Sequence, residues 1–368
     1  MTLLALLAVL VQDSPGAALR PYIERKEVAG AVVYVGSKDK TLSLEAVGFA
    51  DVEAKTPMKT DALFWIASQS KHITAAAVLM LVDEGKIALD DPLEKHLPEF
   101  KGLKVAVEED AEHALLKKPA RLVTIRDVLS HTSGMAFSSP MEKPTLDALT
   151  LKDAVRSYAM MPLRFEPGTK YQYSNAGINT AARILEVVAG VSYERFMHDR
   201  LFGPLGMKDT TFWPDDEQVA RLAKAYKPNA AKDGLEETPI SQLTYPLSLP
   251  HRQAMPAGGL FSTAVDCARF LRMVMNGGEL DGRRYLSEAA VKEMTKRQTA
   301  ETIKDSYGLG WSVGPGTYGH GGALATNMSV DEKRGLILVF LVQHAGFPGE
   351  GKNAQGAFRK AAEKLFAP

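Results

Sequence analysis

One cysteine in 368 residues removes two chemistries at once. Cys267 has no second thiol to pair with, so an internal disulfide framework and a thiolate metal cluster are both excluded, whatever compartment the protein occupies. It falls at helical spacing with Ala264, Ala268 and Leu271, which reads as core packing. The eight histidines are scattered, without H-x-x-x-H or H-E-x-x-H spacing, so the chain is read as having no metal and no other cofactor. An excess charge of either sign is missing too. Lysines and arginines number 44 and so do aspartates and glutamates, which leaves no field to attract nucleic acid or an anionic membrane. The apolar run at residues 3–11 is far too short to span a bilayer, and it lacks a basic leading segment and a clear A-x-A cleavage site. Residues 1–14 fit a signal-peptide core or an N-terminal helix equally, with an inclination toward export. Internal repeats and low-complexity tracts are absent.

What is present is an ordinary globular composition, 45% hydrophobic, long enough for one large domain or two. Residues 31–36 and 41–47 alternate around a polar turn and read as a hairpin. Residues 307–313, 325–330 and 336–342 write strands again near the C-terminus, the last apolar enough to be buried on both faces. A closing amphipathic helix occupies 354–366. Between about 75 and 240 no strand signal is strong; helices are expected at 124–130, 178–190 and 193–201, and the charge-dominated stretch 101–118 reads as an exposed insertion. Strands at both ends with helices between predict a mixed α/β fold: an antiparallel sheet built from both chain ends, flanked by helices, with a mostly helical inserted lobe. The expected division is 15–75 with 250–368 as the α/β domain and 76–249 as the helical one.

Three short stretches carry possible chemistry. In Ala67-Ser68-Gln69-Ser70-Lys71-His72 the sequence turns helical: Ile73, Ala76, Ala77, Met80 and Leu81 recur at helical spacing and Gly85 offers a left-handed stop. Ser68 and Lys71, three apart, share a face, and a serine at a helix N-terminus sits where free N–H groups and the positive dipole end gather. A lysine is the wrong charge for that first turn, and local rule-breaking marks functional sites. A serine nucleophile beside an amine is one reading; a plain N-cap at Ser68 or Ser70 is the other. The second stretch is Tyr173-Ser174-Asn175. A phenol, with a pKa of about 10, needs a cationic neighbour such as Lys71 before it acts as a base near neutrality, and a buried loop tyrosine is the alternative. The third is His320-Gly321-Gly322, at the start of a strand-like segment. Paired glycines let a ligand approach backbone, and a histidine there can donate to a carbonyl or carboxylate; a glycine-rich turn with a surface histidine fits equally.

In this order the three stretches resemble the motifs of the serine β-lactamase and penicillin-binding-protein-like superfamily, in the branch of class C β-lactamases, D-alanyl-D-alanine carboxypeptidases and family VIII carboxylesterases. Ser68-x-x-Lys71, Tyr173-x-Asn175 and His320-Gly321-Gly322 carry the likeness. Leu129-Ser130-His131-Thr132-Ser133-Gly134, Pro204-Leu205-Gly206-Met207 and Pro256-Ala257-Gly258-Gly259-Leu260 extend it over about residues 25–345. The resemblance implies acyl transfer through a covalent intermediate. Ser68 would attack, Lys71 and Tyr173 would exchange its proton, and the N–H groups of Ser68 and Ala323 would hold the oxyanion. Asn175 would orient Lys71 or the acyl side chain, and His320, Gly321 and Gly322 would line the substrate. Lactamases and carboxypeptidases of this group usually carry Lys-Thr-Gly at the third motif to grip a carboxylate. His320-Gly321-Gly322 supplies neither group, which favours a small ester over a penicillin or a D-alanyl peptide, with those two and a non-catalytic penicillin-binding sensor as the rivals. A small-molecule ester or amide is the expected partner; oligomeric state is left open.

Gly310-Trp311-Ser312-Val313-Gly314 is a decoy. It fits the G-x-S-x-G pattern of α/β-hydrolases, whose serine needs a sharp turn from strand into helix. Pro315 and Gly316 follow Ser312, and no helix can begin there.

Overall fold

The computed structural model describes residues 14–110 and 112–367, so the apolar run at 3–11 lies outside the described residues. Its centre is one seven-stranded sheet. Strands β1 (Gly30–Gly36), β2 (Thr41–Asp51) and β3 (Thr56–Pro57) come from the N-terminal part, and β4 (Ser312–Gly314), β5 (Thr317–Gly321), β6 (Asn327–Asp331) and β7 (Leu336–Leu341) from the C-terminal part. The order is β4-β5-β6-β7-β1-β2-β3, every pairing antiparallel. The two ends of the chain therefore meet where β1 pairs with β7, Val33 opposite Phe340.

Helices α1 (Ser70–Asp83), α2 (Ile125–Leu129), α3 (Leu151–Ala159), α4 (Asn175–Ala189), α5 (Ala264–Met275) and α6 (Ala354–Phe366) surround the sheet and build the lobe beside it. The strand period of two sorts side chains between two cores. Ala31, Val33 and Val35 with Leu336, Leu338 and Phe340 meet Phe358 of α6, while Val32 and Tyr34 with Ile337, Val339 and Leu341 join the larger core around α1, α4 and α5. The run at 336–342 is apolar throughout because both its faces are covered, and each such side chain contributes about 1.5–3 kcal/mol by leaving water. Among the described residues no helix is long and apolar enough to cross a membrane.

Helix α1 is buried without a break from Ser70 to Leu81, so it is the central post of the molecule and not an amphipathic surface helix. It ends as expected, with Gly85 at φ +68°. Four expectations need correction. The charged stretch 101–118 is exposed but not structureless: Val105–Glu109 pairs with Ala114–Lys117 as a hairpin, and Tyr226–Pro228 with Leu235–Glu237 forms another, both within the region where strands went unread. Their strands are short and mostly exposed, so charged residues replace the apolar alternation that marks a covered strand. Of the expected strand 307–313 only Ser312 and Val313 join the sheet; Tyr307 bridges back to Ser312, and between them the chain presses against α1 at Gly310 and Trp311. A Cβ on Gly310 would stand 2.8 Å from the Lys71 carbonyl oxygen and 2.9 Å from Ala75 Cβ. The strand expected at 325–330 begins at Asn327, and β5 stands unanticipated before it, so His320 and Gly321 end a strand instead of starting one.

Candidate active site

Ser68 sits in a single 3₁₀ turn, Ala67–Gln69, that runs directly into α1. Ala67 holds φ +48°, a region that costs a residue other than glycine about 1–3 kcal/mol. The chain thus enters its most buried helix through a strained corner, and the half-buried Ser68 stands at that corner.

Lys71, in the first turn of α1, is 0% exposed. Its Nζ lies 3.1 Å from Ser68 Oγ, donates to the Ala257 carbonyl oxygen at 2.6 Å, and stands 4.6 Å from the Tyr173 ring centre. Among the described residues it has no carboxylate partner. Burial without a counter-charge pushes the ammonium well below its ordinary pKa, toward the neutral amine. Tyr173 arrives on the loop ahead of α4, which Ser174 caps by accepting from the Gly177 N–H. Burial raises its phenol, and a hydrogen bond with Ser68 acts the other way. The first two motifs therefore meet: Ser68, Lys71 and Tyr173 form one cluster. Burial thus disfavours the charged form of both groups, the phenolate of Tyr173 and the ammonium of Lys71.

Asn175 opens α4 and its N–H donates to the Phe137 carbonyl at 2.9 Å, but its buried Oδ1 has no partner and its side chain makes no hydrogen bond to Lys71. The Ala257 carbonyl occupies that role. His320 is 7% exposed and has no nitrogen left over. Nδ1 lies 2.6 Å from the Gly321 carbonyl, which can only accept, so the proton sits on Nδ1 and Nε2 accepts from the Tyr307 hydroxyl at 2.9 Å. It is neither a surface histidine nor a free donor. Burial, with the nearby Lys71 charge, takes its pKa down to about 3.

The glycines that follow are demanded by space. A Cβ on Gly322 would stand 2.1 Å from Thr326 Oγ1 and 2.6 Å from the Ile66 carbonyl oxygen. The turn 321–326 is thereby seated on the residue that precedes the 3₁₀ turn, with the exposed Ala323 next in the chain. Gly321 has room, its nearest neighbour being the Thr326 carbonyl oxygen at 3.6 Å. Ser312 lies elsewhere: exposed on the short edge strand β4, opposite Gly319, with no helix after it.

Several residues of the cluster were not singled out by sequence reasoning. His131, from the first accessory stretch, holds φ +61° and accepts from the Ser174 N–H through Nδ1, while its ring centre lies 4.6 Å from that of Tyr173 and 4.8 Å from that of Tyr307. Its buried Nε2 has no partner. His72 stacks on Trp311 at 4.2 Å with neither nitrogen bonded. His131 and Ala257 lay in stretches quoted for the family likeness; Tyr307 and His72 carried no signal.

A profile of the family described as Beta-lactamase matches residues 16–362. Penicillin-binding protein 4 of Amycolatopsis lactamdurans is 32% identical, with 84% of this chain and 74% of that protein covered. Esterase EstB of Burkholderia gladioli is 29% identical, with 88% of each covered. Among solved structures, unliganded simvastatin synthase LovD from Aspergillus terreus superimposes with a TM-score of 0.81 at 19% identity, covering 95% of this chain and 98% of that one, a likeness of fold. With the profile spanning nearly all of the described residues and a relative of this identity aligned along most of its length, the chain belongs to the β-lactamase family of serine hydrolases.

Proposed function

We propose that the protein hydrolyses small, uncharged carboxylic esters through an acyl-enzyme on Ser68. The observation that carries this reading is Lys71: an amine with no counter-charge, buried, 3.1 Å from the Ser68 hydroxyl. A neutral amine there is a general base in place. Ser68 Oγ bonds to the ester carbonyl carbon as its proton passes to Lys71 Nζ, and the carbonyl electron pair moves onto oxygen, held by the N–H groups of Ser68 and Ala323. Collapse breaks the bond to the alcohol oxygen. Tyr173, protonated, gives its proton to that oxygen and regains one from the Lys71 ammonium. Water then attacks the acyl carbon by the same route, and the acid leaves.

The preference for an ester rests on His320. Where the lactamases and carboxypeptidases that this chain resembles usually carry a lysine to bind a carboxylate, this chain has an imidazole that is neutral at physiological pH and bonded at both nitrogens. The likeness to EstB points the same way. The likeness to a penicillin-binding protein sustains the D-alanyl peptidase reading as the competitor.

The deciding experiment is a panel of short p-nitrophenyl esters, nitrocefin and D-alanyl-D-alanine peptides, run on wild type and on Ser68→Ala and Ser312→Ala. Ester turnover that dies with Ser68→Ala, persists in Ser312→Ala and exceeds peptide turnover supports the proposal. Comparable turnover of peptide and ester, or an acyl-enzyme that survives for hours in the mass spectrometer, refutes it in favour of the peptidase or the sensor.

A further inference from the structure

The base in a serine hydrolase is itself oriented by a third group. Here that group is the Ala257 carbonyl, 2.6 Å from Lys71 Nζ. By taking one N–H of the amine it leaves the lone pair to face Ser68. A backbone carbonyl can do this only if its own peptide cannot swing. Both peptides flanking Ala257 are held. The Gly258 N–H donates to the Met255 carbonyl at 2.8 Å, the Pro256 carbonyl accepts from Thr74 Oγ1 at 2.8 Å, and the Ala257 N–H donates to Asn179 Oδ1 at 3.0 Å.

Asn179 is the one of these holds that comes from outside α1 and the loop itself. It lies on α4, 1% exposed, and is fixed in turn. Its Nδ2 donates to the Tyr158 hydroxyl at 3.1 Å, that hydroxyl donates to Glu142 Oε1 at 2.6 Å, and Glu142 Oε2 accepts from the Ser139 N–H at 2.6 Å. The direction is set from the Ala257 end: its N–H can only donate, so the Asn179 amide oxygen faces it, the amide nitrogen faces the Tyr158 oxygen, and the Tyr158 proton points to Glu142. We propose that Asn179, braced by Tyr158 and Glu142, is the positioning residue of the Lys71 amine, acting through the Ala257 carbonyl. This rests on Lys71 being the base for Ser68. It gives a buried carboxylate, a buried tyrosine and a buried amide a common purpose.

The test compares wild type, Asn179→Ala, Asn179→Asp and Tyr158→Phe in kcat and KM for a short p-nitrophenyl ester, and in the rate at which Ser68 is labelled by a fluorophosphonate, followed by intact mass. Misplacing a reacting group by about an ångström costs up to about 10²-fold. The expected result is a fall of about 10- to 100-fold in kcat and in labelling for Asn179→Ala, with KM within about twofold. Asn179→Asp, which keeps an acceptor for the Ala257 N–H, recovers most of the loss, and Tyr158→Phe lies between. Labelling and kcat within about threefold of wild type in folded Asn179→Ala, a loss confined to KM, or no recovery in Asn179→Asp overturns the assignment. If Asn179→Ala does not fold, Tyr158→Phe decides by the same two readouts. If wild type is labelled but turns over no ester, the ester reading fails while the ratio of labelling rates still tests Asn179.

Discussion

Gly322→Ala adds one methyl group at the point where the third motif leans on the nucleophile's own turn. The new Cβ would stand 2.1 Å from Thr326 Oγ1 and 2.6 Å from the Ile66 carbonyl oxygen. Thr326 can rotate away, at the loss of its 3.4 Å bond to that same carbonyl. Ile66 cannot, because the next residue already sits at φ +48°. The turn 321–326 must therefore retreat by roughly half an ångström, carrying the Ala323 N–H with it, since overpacked sites relax by backbone shifts costing about 1–3 kcal/mol. An oxyanion donor displaced from its post costs about 10²–10³ in kcat, or about 2.7–4 kcal/mol of transition-state binding. In a p-nitrophenyl butyrate assay kcat is expected to fall by that factor with KM little changed. Gly356→Ala is the matched control. It lies exposed in α6 with nothing near its Cβ, so the same chemical change should leave kcat alone and add about 1 kcal/mol of stability. A folded Gly322→Ala enzyme with kcat within threefold of wild type would refute the oxyanion role given to this turn.

Three further outcomes follow from burial. Lys71→Met should abolish ester turnover yet fold at least as well as wild type. Below pH 10.5 the unfolded lysine holds a proton that the folded one sheds, so wild type gains stability as pH rises from the depressed folded pKa toward 10.5, and urea melts at pH 7 and 9.5 should show that gain shrinking in the variant. Acid sensitivity should begin near pH 6.5: His72, His131, His320 (down to about 3) and His344 (down to about 4) stay neutral when folded but protonate when unfolded. Stability is then lost as pH falls from 6.5 toward 4, at up to about 1.4 kcal/mol per pH unit for each histidine, and a flat urea midpoint between pH 6.5 and 5 would contradict it. Tyr307→Phe removes the hydroxyl that His320 Nε2 accepts from; the freed nitrogen should raise the His320 pKa and steepen the pH dependence of kcat near neutrality, whereas an unchanged pH profile would show that this bond does not govern the imidazole.

What the sequence disclosed and what it withheld divide by distance along the chain. Ser68 and Lys71 were legible because three residues on a helix fix a contact locally, and the strand at 336–342 was legible because a both-faces-buried strand has a composition of its own. The architecture followed from strands at two ends and helices between. Tyr173 was legible only by family likeness, since nothing local distinguishes a phenol aimed at a serine from one in a loop. Ala257 reaches Lys71 across 186 positions, and its contribution is a carbonyl, which every residue has. The His320 environment was misread for a related reason: Tyr307, which engages its outer nitrogen, precedes it by 13 positions on a segment that reads as strand and instead turns against α1.

The cluster around Ser68 is organised by neutrality. Lys71 is near His72, His131 and His320, all buried; burial holds each of the three low in pKa, and Lys71, when protonated, lowers them further. Protonating any one of them makes a second proton harder to add, because like charges in a dry site repel with little screening. Such a group resists positive charge. A carboxylate substrate would have to leave water without a fixed cation to meet it, at a cost that a neutral ester does not incur. The same neutrality serves the chemistry, because an unprotonated Lys71 is the form that can take the Ser68 proton. Under the proposed function, selectivity for an uncharged substrate and readiness of the base are therefore one property, and a variant that installs a permanent cation at position 320, His320→Lys, should favour carboxylate ligands over ester turnover while disturbing the state of Lys71. Binding of an anionic penicillin that improves with no loss in ester kcat would separate the two and defeat this link.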